Sequence, residues 1–393
     1  MEKICDIGQC SGCGACKAKC PVGAIRMIEG SLGALHPCID QEKCIDCGLC
    51  VRMCPEVTPV CLDMPEESYA SYAVSSDQRL TSASGGVASV LAEVVLSSGG
   101  VVYGCIQEKG ARICHGRVDR VEDVYLLKGS RYVNSSLENI WMLLQKDLDA
   151  GLEVLFVGTP CQVAAVKRYA GGKSGKLILV DLCCHGTPPY RLLIDHLENL
   201  GCDYSDSKVS FRMKCDGKIK FVFNLIGEDG GSSVMNEACE DDYMTGFLSG
   251  LFFRENCFSC RYARRERCGD ITLADHWGMG ASTDPEMSLS KGLSTILVNT
   301  ETGKGLLGRT AGLLALECRP FEESFRNGQF IRPFTRPDDY EKFVRVYAED
   351  GYAEACRRLI PRYQRAMRIK QLKDWYYRWP FRQFIRKKLK SLL

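Results

Sequence analysis

A chain of 393 residues, 45% hydrophobic and 25% charged, has an ordinary globular composition and room for two or three domains. Its net charge of +2 excludes a general attraction to nucleic acid, and no apolar run approaches the roughly 18 residues of a membrane helix. The opening stretch MEKICDIGQC lacks the apolar region of a secretory signal, so a cytoplasmic location is expected. In a long chain kept reduced there, 24 cysteines point to metal or redox chemistry rather than disulfides.

The first element is a duplicated line. CSGCGACKAKCP (Cys10–Pro21) and CIDCGLCVRMCP (Cys44–Pro55) both have the spacing of a bacterial two-cluster ferredoxin, in which three cysteines wrap one cubane and the fourth ligates the other. This predicts one [4Fe–4S] cluster on Cys10, Cys13, Cys16 and Cys54, and a second on Cys44, Cys47, Cys50 and Cys20. Two complete four-cysteine runs do not fit a structural zinc site, which takes four ligands as two separated pairs. Gly12, Gly14 and Gly48 suit close approach of backbone to an inorganic core. Residues 1–65 are therefore read as a ferredoxin domain stapled by its clusters. Cys5, Cys38 and Cys61 fall outside the runs and are read as packing or spare thiols.

Beyond Tyr69 strands and helices alternate. A strand is predicted at Tyr69–Val74, a helix over Ser84–Leu96, and a strand over Val101–Ile106. ENIWMLLQKDLDAG reads as a helix, EVLFVGTPCQVAAVKRY as strand, turn and helix, and Leu177–Asp181 as a strand followed, after Pro188 and Pro189, by another helix. This alternation predicts an α/β fold, a mixed and mostly parallel sheet with flanking helices, behind the small α+β ferredoxin domain. The module divides into 69–147 and 148–310. Binding loops should lie at the carboxyl ends of its strands. Three loops have the composition for it. SASGG (Ser82–Gly86) would suit an anionic or planar ligand, or is a plain helix start. GTPCQ (Gly158–Gln162) places Cys161 at a helix start, where the dipole lowers a thiol pKa. CCHGTPP (Cys183–Pro189) carries a cysteine pair and His185. Further on, Cys257 and Cys260 form a C-x-x-C pair with Cys268 eight residues later; the missing ligands must come from elsewhere, and Cys161 and Cys184 sit on loops where a site is expected. His276, beside Trp277, is read as a packed core residue.

The last segment, 340–393, is read as a basic, aromatic-rich helical tail. Trp375, Tyr376, Tyr377, Trp379, Phe381 and Phe384 are interleaved with Lys and Arg, and Pro380 breaks or kinks the helix. Such a helix suits the inner face of an anionic membrane, an acidic protein, or packing on the body by its aromatics. It brings no nucleic-acid recognition module, so no nucleic-acid partner is expected.

SASGGVAS, LKGSRYVNS, LFVGTPCQVAAVKR, DLCCHGTP, SFRMKCDGK and CFSCRYARRERCGDITLADHWG occur in order. Together they resemble the coenzyme F-420 hydrogenase/dehydrogenase beta-subunit family, over about Tyr69 to Asn299, behind a two-cluster ferredoxin domain. The resemblance implies an iron–sulfur flavoprotein oxidoreductase with a third [4Fe–4S] cluster beside a flavin, FAD or FMN. It implies flavin contacts at Ser84, Gly85, Gly86, Lys128, Ser130, Tyr132, Ser135 and Thr159. The third cluster falls on Cys161, Cys184, Cys257 and Cys260, with Cys183 and Cys268 as competitors and a zinc site as the alternative. His185 would donate a proton near the flavin, or act as a supporting or surface histidine. Asp270 and Asp275 are structural or hold Arg264 or Arg265. Electrons would be exchanged, in either direction, with a redox protein or a small-molecule carrier. The rival reading is an electron-transfer subunit without a substrate pocket of its own, docked on a catalytic partner; a scaffold whose flavin site has decayed is a third.

Overall fold

The computed structural model describes residues 3–171, 175–215, 218–277, 280, 282 and 284–378, the side chains of Lys218 and 374–378 excepted. Within residues 3–65 the duplication in sequence is a duplication in space. Each run opens a one-turn helix, Ala15–Ala18 and Leu49–Met53, from a glycine in the left-handed region, Gly14 at φ 75° and Gly48 at φ 69°. The two helices pack on each other beside the antiparallel pair β1 (Ile25–Glu29) and β2 (Leu35–Ile39). Apart from the cysteines their core is little more than Ile4 and Ile25, so the fold here depends on what the cysteines bind.

The remainder is built on an eight-stranded sheet. Its strands are β3 (Glu67–Ala73), β4 (Val101–Gln107), β5 (Ile113–Val118), β6 (Val154–Gly158), β7 (Leu177–Leu182), β11 (Ile271–Asp275), β12 (Ser294–Val298) and β13 (Leu314–Cys318). Between β7 and β11 the chain makes a separate three-stranded antiparallel sheet, β8 (Lys208–Cys215), β9 (Lys218–Ile226) and β10 (Ser232–Glu237). The large sheet has the order β13-β3-β12-β11-β7-β6-β4-β5. β4, β6, β7 and β11 form a parallel centre, and the flanking pairs are antiparallel, so five of the eight strands run the same way. The break expected at 147/148 falls inside this sheet, because β4 pairs with β6, and the sheet continues past 310 to Cys318.

The parallel strands are apolar on both faces because both are covered. Val102, Leu155, Ile178 and Val180 face the helix Val87–Ser97. Val101, Tyr103, Val154, Phe156, Leu177 and Leu179 face the helices Trp141–Asp149 and Pro160–Ala170. The ferredoxin half joins this second layer: Ala15 is fully buried there, beside Trp141 and Tyr169. The seam is fastened by backbone bonds in both directions between Asp63 and Arg267, each 2.8 Å, and by Arg168 Nε donating to Arg52 O at 2.6 Å.

The segment from 340 onward divides. The helix Tyr340–Arg378 is interrupted at Gly351 (φ 83°). Tyr340, Phe343, Val346, Tyr352, Ala355, Cys356, Leu359 and Ile360 are buried against Phe252 and the β8–β9 sheet, so this part is core rather than tail. Residues 379–393, including Trp379, Pro380, Phe381 and Phe384, and the side chains of Trp375, Tyr376 and Tyr377 lie outside the described residues. Among the described residues no helix is long and apolar enough to cross a membrane.

Candidate functional site

Three groups of cysteines gather. Cys16 and Cys54 are buried in one small cluster, which Cys50 of the other run also enters, and buried Cys10 and half-buried Cys13 stand close enough to feel the charges of the others. Cys20, Cys44, Cys47 and Cys50 line a second recess floored by Ala24, Ile25 and Ile39. The first group lies under the core and the second at the surface, where Cys47 is exposed and Ile45 is 61% exposed. In each group a backbone amide already points at sulfur: Gly12 N–H donates to Cys10 Sγ at 3.4 Å and Ala24 N–H to Cys20 Sγ at 3.3 Å. Cys5 stands beside Cys10 and Cys54, Cys38 is half-buried on β2, and Cys61 is exposed.

The third group is assembled from three loops. Thr159 caps the helix Pro160–Ala170 through a reciprocal box with Gln162, which fixes Cys161 at the carboxyl end of β6 with its sulfur 3.3 Å from Thr159 Oγ1. Cys184 follows β7, the next parallel strand. Cys257 and Cys260 come from the 3-10 turn Glu255–Ser259 and its cap. All four line one recess, with Thr159, His185, Arg254 and Ser11 on its walls. The two competing cysteines are elsewhere. Cys268 is buried and donates to Pro160 O at 3.2 Å and Asp181 Oδ2 at 3.3 Å. Cys183 is absent from the recess and has Arg267 and Asp181 for charged neighbours. Burial pushes the Cys161 thiol up to about 11 and Cys260 up to about 12, so the helix dipole expected to lower Cys161 is outweighed. A bound metal centre is the partner that strips such thiols of their protons. Among the described residues no three Cys, His, Asp or Glu side chains stand close enough to share a single metal ion. The buried indole N–H of Trp141 lacks an acceptor among the described residues, and its Nε1 is 3.7 Å from where a Gly14 Cβ would stand, on the loop between Cys13 and Cys16. A four-sulfur donor set with spare N–H donors fits an iron–sulfur cluster.

The residues expected at a flavin are spread over three places. Lys128 and Ser130 line a groove of about 300 Å³ together with Thr81–Ala83 and with Ser210, Arg212 and Lys214 of β8. Ser84, Gly85 and Gly86 adjoin it but are stitched to the sheet: Ser84 Oγ donates to Leu293 O at 2.9 Å, and Gly85 N–H to Ser294 Oγ at 3.0 Å. A Cβ at Gly85 would stand 2.6 Å from Ser71 O, so a side chain there collides with strand backbone whatever the loop binds. Tyr132 stacks on Phe247 at 4.4 Å in the aromatic core. Ser135 is buried, hydrogen-bonded to His115 Nδ1 and Gln162 Nε2, both 3.0 Å, and Thr159 belongs to the cysteine recess. His185 is exposed on that recess, with Arg212 and Asp275 for charged neighbours.

The two aspartates do not hold Arg264 or Arg265. Asp270 accepts from Leu179 N–H at 2.8 Å and Thr300 Oγ1 at 2.7 Å, whereas Asp275 takes both arms of Arg212 at 3.2 and 2.8 Å. Arg264 pairs with Glu266 at 2.7 Å. His276 is buried against Thr295 Oγ1 at 2.8 Å, as expected of a core residue. The sequence reading missed Arg212 and Lys214, although SFRMKC carries both; they are recognisable only once β8 is known to face the SASGG loop. Lys214 donates to Ser84 O at 2.7 Å and to Arg79 O. Burial, with Arg79 and Arg212 nearby, lowers its amine to about 8.

Residues 151–323 match the family described as the carboxyl terminus of the coenzyme F420 hydrogenase/dehydrogenase beta subunit, and residues 9–57 match the 4Fe-4S dicluster domain. The chain is 22% identical over 198 residues to a subunit of the F(420)H(2) dehydrogenase of Methanosarcina mazei, covering 48% of this chain and 56% of that protein. It is 27% identical over 209 residues to the coenzyme F420-dependent sulfite reductase of Methanocaldococcus jannaschii, covering 51% of this chain and 32% of that protein. It thus spans about half or less of these relatives. A chain of the F420-reducing [NiFe] hydrogenase complex from Methanosarcina barkeri aligns at TM-score 0.47 and 18% identity, over 75% of this chain and 91% of that chain.

Proposed function

We propose that this chain, which carries the carboxyl-terminal domain of coenzyme F420 hydrogenase/dehydrogenase beta subunits behind a 4Fe-4S dicluster domain, is an iron–sulfur flavoprotein oxidoreductase. The observation that carries the reading is the recess where Cys161, Cys184, Cys257 and Cys260 meet, walled by Ser11, the neighbour of Cys10. The eight ferredoxin cysteines would hold two clusters and these four a third. Clusters of this kind supply single-electron transfer, and a flavin couples it to two-electron chemistry on a substrate. The flavin would lie by the groove of Lys128, Ser130, Arg212 and Lys214 and reach toward His185, beside the third set, which would hold or give a proton. Exposed Cys47 and Ile45 mark the side where a redox protein or small carrier would meet the chain. We place the protein in the cytoplasm, with the basic aromatic end of the chain as the candidate for membrane contact.

The test is iron, acid-labile sulfide, zinc and extracted flavin per chain on anaerobically purified protein. About twelve irons with one flavin is the expected result. About eight irons with neither zinc nor flavin would favour a two-cluster electron-transfer subunit, and zinc in place of four irons would reassign the third set.

The groove makes a pH prediction. Lys214 is charged below about pH 8 and loses its charge above it, so an anionic flavin phosphate held there should dissociate more readily as pH rises through 8. Lys214→Gln is expected to weaken flavin retention about tenfold at pH 7, the scale of one charge-assisted hydrogen bond, and to flatten that pH dependence. Flavin fluorescence in the filtrate after dilution at pH 7 and pH 9 reads both.

A further inference from the structure

Arg254 is 3% exposed, and among the described residues its guanidinium donates to neutral acceptors alone: Nη2 to Cys10 O at 3.1 Å and Leu35 O at 3.3 Å, and Nε to Asn256 Oδ1 at 3.3 Å. The other buried arginines are treated differently. Arg267 has Asp181 at 2.9 Å and Arg79 has Glu286 at 3.4 Å. Burying a charge without a counter-charge is strongly unfavourable, so a position like that of Arg254 calls for negative charge nearby. The cysteines supply the place for it. Arg254 grips the carbonyl of Cys10 on one side and walls the recess of Cys161, Cys184, Cys257 and Cys260 on the other. Gly12, at φ 68°, leaves room for it: a Cβ there would stand 2.7 Å from Nη2.

We propose that Arg254 is a positioning residue shared by the first ferredoxin set and the core set, holding the two together and placing one fixed positive charge between them. This rests on the reading that both sets hold clusters. Four thiolates around each centre make the sites anionic, and reduction adds a further negative charge. A fixed cation between them favours the reduced form of both. One electron leaves one set and enters the other; no bond forms or breaks. Arginine side chains do not act as proton carriers in proteins, so no proton accompanies the electron on this account.

The test is an anaerobic redox titration of the full chain followed by electron paramagnetic resonance, with Cys257→Ser protein used to assign the core-set signal. Arg254→Gln should lower the midpoints of both neighbouring sets by at least tenfold in the reduced-to-oxidised ratio at fixed potential, which is 59 mV for a one-electron couple. The set of Cys20, Cys44, Cys47 and Cys50 should stay within threefold, as should every set in Arg254→Lys. Asn256→Asp, which neutralises the charge where it stands, should shift the same two sets the same way, and it decides the matter if Arg254→Gln loses iron. Midpoints within threefold of wild type at full iron content, or a shift confined to one set, would overturn the proposal. Wild-type protein lacking iron at the core set would instead sink the underlying reading.

Discussion

Cys257→Ser is expected to remove about four irons and four sulfides of about twelve per chain, the content of one [4Fe–4S] cluster, and to leave about eight. The loss should be all or none, because among the described residues no fifth cysteine lines the recess to replace the missing one; Cys183, beside Cys184 in sequence, is not on its wall. Cys268, the nearest rival in sequence, is committed to Pro160 O and Asp181. Cys268→Ser should therefore keep about twelve irons. Iron and sulfide assays on the two variants side by side check this, and equal losses would move Cys268 into the ligand set.

The largest effect on stability is expected at Asp181. Both Asp181 and the Arg267 side chain are almost wholly buried and meet at 2.9 Å, and Asp181 also accepts from the backbone of Cys268 at 3.2 Å and Gly269 at 3.0 Å. Asp181→Asn strands the guanidinium and should cost roughly 3–5 kcal/mol, the usual loss when one partner of a buried pair is removed. Asp181→Leu with Arg267→Met removes both charges and should recover much of it. Urea midpoints measured anaerobically on cluster-loaded protein decide; a cost below about 1 kcal/mol would make the pair no stronger than a surface bridge.

What could be read from sequence followed from how local the signal was. The duplicated run was legible because its spacing is itself the geometry: three cysteines with two residues between each must wrap one loop. The parallel centre of the sheet was legible from strands alternating with helices. The three-stranded sheet 208–237 was not, because it interrupts that alternation between β7 and β11. The core role of Tyr340, Phe343, Val346 and Tyr352 had a signal in their helical spacing, but the Lys and Arg from Arg357 onward drew the whole segment into one basic tail. At the candidate site, the convergence of Cys161 and Cys184 followed from their places after neighbouring strands. Nothing along the chain separates Cys260 from Cys268 as a loop member; the difference is that Cys268 faces a buried carboxylate. Gly85, a loop glycine that suggested a ligand, also has a packing reason that the chain does not display: a Cβ there would meet the carbonyl of Ser71.

The seam between the two halves has a kinetic consequence. Ala15 buried under Trp141, the paired backbones of Asp63 and Arg267, and the Arg168 bond to Arg52 O leave no encounter step between the ferredoxin half and the core. In the relay proposed above, passage between them is therefore first order, independent of protein concentration and insensitive to ionic strength. Exchange at the exposed Cys47 side and arrival of substrate at the flavin are the steps that depend on collision, and the salt dependence of the whole process should reside in those two.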